Sequence, residues 1–394
     1  MLTSAIVWAT MMSAALEGGF IFPPNELHNH SSSIVETADG DLLAAWFHGT
    51  GERWADDVLV QGARKRAGDD HWSEPFIMAN TPDIPDCNPV LFIDPRGVLW
   101  LIWIAVHDNQ WGGSLIKYRT STDYADDGPP NWDWQDILHV RPLELEERFL
   151  RVIDEGLEVY GNVIASIMPE FKEQAAEVRE RAQIKLHQRL GWMPRCQPIM
   201  LADGQMMLGL YSDVYNCSLA AFTDDWGETW RFSTPIMDPD VTMLGNIQPS
   251  LAQRENGDIV AFMRDNGLPR QVRYAVSEDN GMTWGPVLMA GIPNSGSSVD
   301  VQVLRNGHWA LVCNDTMFGR HQLTVYLSDD EGDTWNWSRV IEIAEEGKGN
   351  FSYPTIMQAQ DDTLHVTYSY RREEIEGSTI KHVTFTEAWI KEEG

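Results

Sequence analysis

Three histidines crowd into one short stretch of this 394-residue chain: His28, His30 and His48 fall within 21 residues. Imidazole changes its charge close to neutral pH, so such a cluster can give or take a proton. It can equally be a set of satisfied core groups. An acidic loop follows, with Glu52, Asp56 and Asp57 around Arg53. A carboxyl acts as an acid near neutrality only when burial or a like charge raises its pKa, which adjacent carboxyls do to each other. No cofactor is expected, because the sequence has neither metal-ligand spacing nor a phosphate-cradling glycine loop. Its four cysteines (Cys87, Cys196, Cys217 and Cys313) are far apart and read as buried apolar fillers.

Such residues act together only if a scaffold gathers them. A repeat supplies one. An apolar strand, a tight turn with glycine and a second apolar strand recur around Gly40, Gly97, Gly204, Gly257 and Gly307, with Asp362 in the glycine place of a sixth copy. The intervals are 50 to 57 residues, except for one of 107. A hairpin repeat at this period predicts a propeller or an array. The long interval contains an insertion, Leu143 to Leu190, whose pattern turns helical: Leu145, Phe149, Val152 and Ile153 share one face. Pro169 separates two helices, and Gly191 marks the stop. A helical hairpin over a β-scaffold serves as a lid, a structural cover or an oligomer contact.

Three second hairpins share the turn [ST]-x-D-x-G-x-T-W: Thr223 to Trp230, Ser277 to Trp284 and Ser328 to Trp335, with degenerate copies ending at Trp72 and Trp132. The Asp accepts backbone N–H bonds across the loop, the Gly takes the left-handed position and the Trp packs beneath. These turns resemble the Asp boxes of the sialidase and BNR-repeat superfamily. The resemblance covers nearly the whole chain apart from the insertion. It implies an all-β, six-bladed, sialidase-like β-propeller of one domain, residues 1–394, with a helical insertion at 143–192 between blades 2 and 3.

Asp boxes argue for a fold, whereas ligands bind at the mouth of a propeller's channel. Sialidases hold a substrate carboxylate with three arginines. The resemblance places His30 where the first would stand, Arg264 at the second and Arg320 at the third. It puts Tyr353, in Phe351-Ser352-Tyr353-Pro354, at the nucleophile. The segment that carries the family's glutamate base offers Asn246 and Gln248 instead. The family's acid falls on the loop after His48, where Asp57 is favoured beside Asp56 and Glu52. Further mouth candidates are Asn88, Trp103, Arg195, Gln197, Asn294, Ser295, Asp300, Asn314 and Asp315. Tyr368, Tyr370, Arg371 and Arg372, at the end of a return strand, are others.

The resemblance therefore implies a sialidase-like exo-glycoside hydrolase that removes a terminal acidic or deoxy sugar from a glycan. Two alternatives stand beside it. One is a lyase or glycosidase that uses histidine and tyrosine on a uronate-containing polymer. The other is a non-catalytic glycan-binding propeller. Charge narrows the partners. With 59 acidic and 29 basic residues the net charge is −30, and this field repels nucleic acid and anionic membranes. Arginine outnumbers lysine 22 to 7, which fits a salty habitat or a genomic bias. Leu2 to Leu16 is apolar but too short to span a membrane. The first basic side chain is Arg53, so this run lacks the positive start of a secretory signal and reads as an edge strand or an unprocessed leader.

Overall fold

Each repeat folds into an antiparallel sheet whose strands follow chain order from the axis outward. A computed structural model describes residues 16–167, 169–237 and 245–392. The apolar run proposed as edge strand or leader lies, up to residue 15, outside the described residues. Six sheets form the blades of a propeller. The innermost strands are His28–Glu36, Asp86–Ile93, the broken pair Met193–Pro194 and Ile199–Met200, then Asn246–Gln253, Asp300–Val303 and Gly349–Gln358. The ring closes through blade 6. There Glu17–Phe20 from the start of the chain pairs with Thr379–Phe385 as the outermost strand.

Local chemistry explains the regularity. All six turn positions of the first hairpins are left-handed, with φ of 71–95°, and at Asp362 a side chain accepts that conformation in place of glycine. Each Asp box is a closed hydrogen-bond unit. In the first, Asp225 accepts from the Thr229 backbone N–H at 2.8 Å and from its hydroxyl at 2.6 Å, while Thr223 Oγ1 accepts from Gly227 N–H at 2.8 Å. Bonds from Thr229 hold the Asp225 carboxyl below its usual range. Asp279 and Asp330 repeat the arrangement. All four cysteines are buried free thiols.

The insertion forms α1 (Leu145–Ile167), α2 (Phe171–Gln183) and a short turn of helix at Lys185–Arg189. Leu145, Phe149 and Val152 are buried against Trp192 and Tyr215, and Ile153 is partly covered. The expected apolar face therefore docks on the scaffold.

Blade 6 holds a buried histidine pair. His365 Nδ1 and His382 Nε2 are 3.0 Å apart, their rings 5.1 Å between centroids, and Trp72 stands edge-on to His382. Burial pushes His365 down to about 4, with Asp361 opposing and Lys65 assisting. Burial, then His365 and Lys65, push His382 well below the usual imidazole value. Both rings are thus neutral in the folded protein, one donating to the other, whereas unfolded imidazoles gain a proton near pH 6.5. The unfolded state binds more protons below that pH, so stability is expected to fall as pH drops from about 6.5 to about 4. Urea unfolding across this range should show the slope, and a His365→Gln, His382→Gln double variant should flatten it.

Candidate active site at the channel mouth

Four of the six inner strands are interrupted by a bulge at corresponding places. The register shifts between His30 and Ser33, Cys87 and Val90, Ile247 and Ser250, and Ser352 and Thr355. Within these bulges Ser31, Asn88, Gln248 and Tyr353 take φ of 58°, 50°, 56° and 56°. Left-handed backbone is costly for a side chain as bulky as tyrosine, and such strain concentrates where a side chain must be aimed. Pro89, Pro249 and Pro354 follow three of these residues; proline has no N–H to give a ladder, so it is tolerated at a bulge.

The bulges and the ends of the second strands surround a cavity of about 610 Å³ to which all six blades contribute. Tyr353 lies on its wall. Its Oη accepts from Gln248 Nε2 at 3.0 Å and from Arg264 Nη1 at 3.1 Å. The Arg195 and Arg320 guanidinium carbons stand 5.1 and 5.4 Å from its ring centroid, and the His30 ring is 4.2 Å away. Gln248 also donates to Tyr211 Oη at 3.2 Å, which accepts from Asn88 Nδ2 at 3.0 Å.

Three guanidinium groups line the cavity: Arg264, Arg320 and Arg371. Arg264 donates to Asn266 and Tyr353, and Arg320 to the Gly296 carbonyl at 3.2 Å. Among the described residues none of the three pairs with a carboxylate, whereas neighbouring Arg53, Arg273 and Arg372 do, at 3.2, 2.7 and 4.0 Å. In a chain with twice as many acids as bases, three such groups in one cavity give it a local positive charge suited to an anion. Arg371, near the end of the second strand of blade 6, supplies the cation that blade 1 lacks. His30 does not supply it. Burial, then His28, Arg320, Arg195 and Arg264, push its pKa well below the ordinary value, so the ring is neutral and engages Ser369 Oγ at 2.8 Å.

Three carboxyls line the cavity, Glu26, Glu52 and Asp213, and Glu26 is exposed. Burial pushes the Glu52 pKa up, and Asp213 adds to it while Arg53 and Arg320 oppose. Burial also raises Asp213, against the pull of Arg264 and Arg53. Its side chain still meets the water of the mouth, so a ligand that displaces this water raises it further.

Several expected site residues stand elsewhere. Asp57 is exposed outside the cavity, where it braces the loop by accepting from the Thr50 N–H and, at 2.7 Å, from its hydroxyl. Asp56 accepts from Asn109 Nδ2 at 2.8 Å, also off the wall. The carboxyl of this loop that reaches the cavity is Glu52, because the turn folds Asp57 back on Thr50. His48 lies behind the wall and is bonded to Asn29 Oδ1 at 2.7 Å. Asn246 is buried and donates to the Ile236 carbonyl at 2.6 Å. Asp300 is buried between blades, accepting from Ser250 Oγ at 2.7 Å and the Ile356 N–H at 2.9 Å. Trp103 is blade core, with its indole N–H on Asp86 at 2.8 Å. Arg195 is buried beneath Tyr353 and donates to the Pro354 carbonyl at 2.8 Å. Gln248 touches Tyr353 from behind the lining, and Tyr370 and Arg371 line it directly. Sequence reasoning missed Asp213, Tyr211, Trp54 and Trp111. The signal for Asp213 was positional, since the ends of second strands also deliver Arg264 and Arg371.

Among solved structures the fold is similar to a Dyadobacter fermentans protein of unknown function (16% identity, TM-score 0.68, 94% of this chain and 98% of that one). It is also similar to the Hadza microbial sialidase Hz136 (15% identity, TM-score 0.66, 95% and 69%). A third is the NanB sialidase of Streptococcus pneumoniae (13% identity, TM-score 0.67, 95% and 71%). At these identities the likeness establishes the six-bladed, sialidase-like propeller. No curated protein matches the sequence. The family model described as a BNR repeat-like domain matches residues 40–143 and 179–366, and the gap between the two stretches falls on the helical insertion. With about three quarters of its length matched, the chain belongs to the BNR repeat-like domain family.

Proposed function

We propose that the protein is a sialidase-like exo-glycoside hydrolase that removes a terminal anionic sugar from a glycan. The observation that carries this reading is the convergence of three guanidinium groups, without carboxylate partners among the described residues, on a cavity whose wall holds Tyr353. Arg264, Arg320 and Arg371 bind the sugar's carboxylate, with paired N–H bonds fixing its orientation. Tyr353 Oη attacks the anomeric carbon as the glycosidic C–O bond breaks. Glu52, its pKa raised by burial, gives its proton to the departing oxygen. Asp213 accepts the phenol proton. Water, deprotonated by Glu52, then cleaves the glycosyl–tyrosine bond, and Tyr353 recovers its proton from Asp213. The likeness to sialidases of known fold supports the substrate class.

One observation favours a second reading, a lyase acting on uronates. Neutral His30 touches the Tyr353 ring, which places a base beside an acid. A single screen separates the two. Purified protein is incubated with glycans capped by sialic acids or uronic acids, and products are read by mass, by new reducing ends and by the ultraviolet absorbance of an unsaturated uronate. The hydrolase releases a saturated monosaccharide from the non-reducing end. Unsaturated product would replace that reading with the lyase, and recovery of every glycan intact would remove both.

A further inference from the structure

The innermost strand of blade 3 is broken, and the residues in the break reach across the channel. Arg195 donates to blade 6 at the Pro354 carbonyl (2.8 Å) and Thr355 Oγ1 (3.3 Å), and to blade 1 at the Ser32 carbonyl (3.4 Å). Cys196 Sγ meets the Val299 carbonyl, just before blade 5, at 3.3 Å. Gln197 Nε2 bridges the Ile34 and Leu91 carbonyls of blades 1 and 2 at 2.7 and 2.9 Å. We propose that Arg195, with Asp300 as its counter-charge, is a positioning residue for Tyr353: it fixes the bulge that aims the phenol and holds a positive charge beneath the ring. The proposal rests on the hydrolase reading for the step that Tyr353 performs.

The burial of Arg195 is the first support. It is 1% exposed, its described bonds all go to carbonyl and hydroxyl oxygens, and its Nε has no partner there. Apolar side chains of similar volume would fill this space at no loss of stability, so packing does not require a guanidinium here. Asp300 balances the charge from the side of blade 5. Burial raises its pKa, against the Ile356 N–H, the Ser250 hydroxyl and Arg195.

The backbone is the second support. Tyr353 has φ of 56°, and a strained residue of this kind persists only where its surroundings hold it. Side chains from other blades pin the strand on both sides of it. Asn314 Nδ2 donates to the Phe351 carbonyl at 2.6 Å, Arg195 to the Pro354 carbonyl, and Asp300 accepts from the Ile356 N–H at 2.9 Å. The Arg195 guanidinium carbon, 5.1 Å from the ring centroid, favours negative charge on Oη as the phenol proton leaves. Arg195 is not among the residues that line the cavity, so it acts on the rate of the chemical step and not on sugar affinity.

The test compares the full parent chain with Arg195→Lys, Arg195→Met and a paired Arg195→Met, Asp300→Asn variant. The pair keeps the charge balanced where the single change unfolds the chain. One readout is kcat and KM on a glycan that the parent cleaves. The other is the phenolate absorbance of Tyr353 against pH, taken as the difference between each chain and the same chain carrying Tyr353→Phe. The Met and paired variants should lower kcat by about 10²-fold with KM within about threefold of the parent. Their phenolate midpoint should rise by at least about one pH unit. Arg195→Lys keeps the charge but loses the fork, so its midpoint should stay near the parent's while kcat falls. A merely structural role would lower the melting temperature and leave the midpoint in place. An unmoved midpoint in the paired variant overturns the proposal whatever the rate, and so does a raised KM with kcat intact. If the parent cleaves no glycan, the hydrolase reading falls, and the midpoint alone decides for or against Arg195.

Discussion

Replacing Tyr353 with phenylalanine is expected to lower kcat by at least about 10³-fold, the scale on which loss of an enzyme's nucleophile is felt. The substitution is selective. Phenylalanine retains the ring between Arg195 and Arg320 and its contact with His30. It removes only the oxygen on which Gln248 and Arg264 converge. Two donors lose an acceptor, so stability should change by about 1 kcal/mol, and the melting temperature should move little. Initial rates on the glycan found by the screen, alongside a binding isotherm, separate lost chemistry from lost affinity. A residual rate within about tenfold of the parent would assign the attack on the anomeric carbon to another group.

The second large effect is on affinity. Arg264→Ala is expected to weaken binding of the anionic sugar by about 10²- to 10³-fold, because truncating one side of a desolvated charge pair costs about 2–5 kcal/mol. Arg264→Lys should recover little, since an ammonium cannot reproduce the planar fork that meets a carboxylate and Tyr353 together. Arg371 lies exposed at the rim, so Arg371→Ala should have the smaller effect, as more water screens its charge. Equal affinity of the Arg264→Ala and parent chains, measured by calorimetry, would mean that the guanidinium cluster does not hold the anion.

The scaffold was legible because its signals are local. Six hairpin turns, three Asp boxes and one change of period each sit within a dozen residues or so, and each reports its own φ, hydrogen bonds or amphipathic face. The site was legible only in part. Arg264, Arg320 and Tyr353 come from segments about 90 residues apart at the extremes, yet they meet at one wall, since each lies at a repeated station of a blade. Asp57 was chosen over Glu52 because sequence proximity to a strand carries no information on which way a loop folds. The Thr50–Asp57 bonds settle that, and they form only in three dimensions. His30 looked chargeable until burial among three arginines was visible. Asp213 escaped notice because a lone aspartate after a strand looks solvated until Arg53 and Arg264 stand beside it. The dipeptides Asn88-Pro89, Gln248-Pro249 and Tyr353-Pro354 were the unused clue: proline recurring at one station marks the bulges.

The outermost strand of blade 6 has a consequence for biosynthesis. Residues 17–20 emerge from a ribosome about 360 residues ahead of their partners, 381–384. This strand must wait unpaired while all five intervening blades are translated. A nascent polypeptide can complete its early blades in order, but the circle stays open, and the mouth unfinished, until the strand at 379–385 has been made.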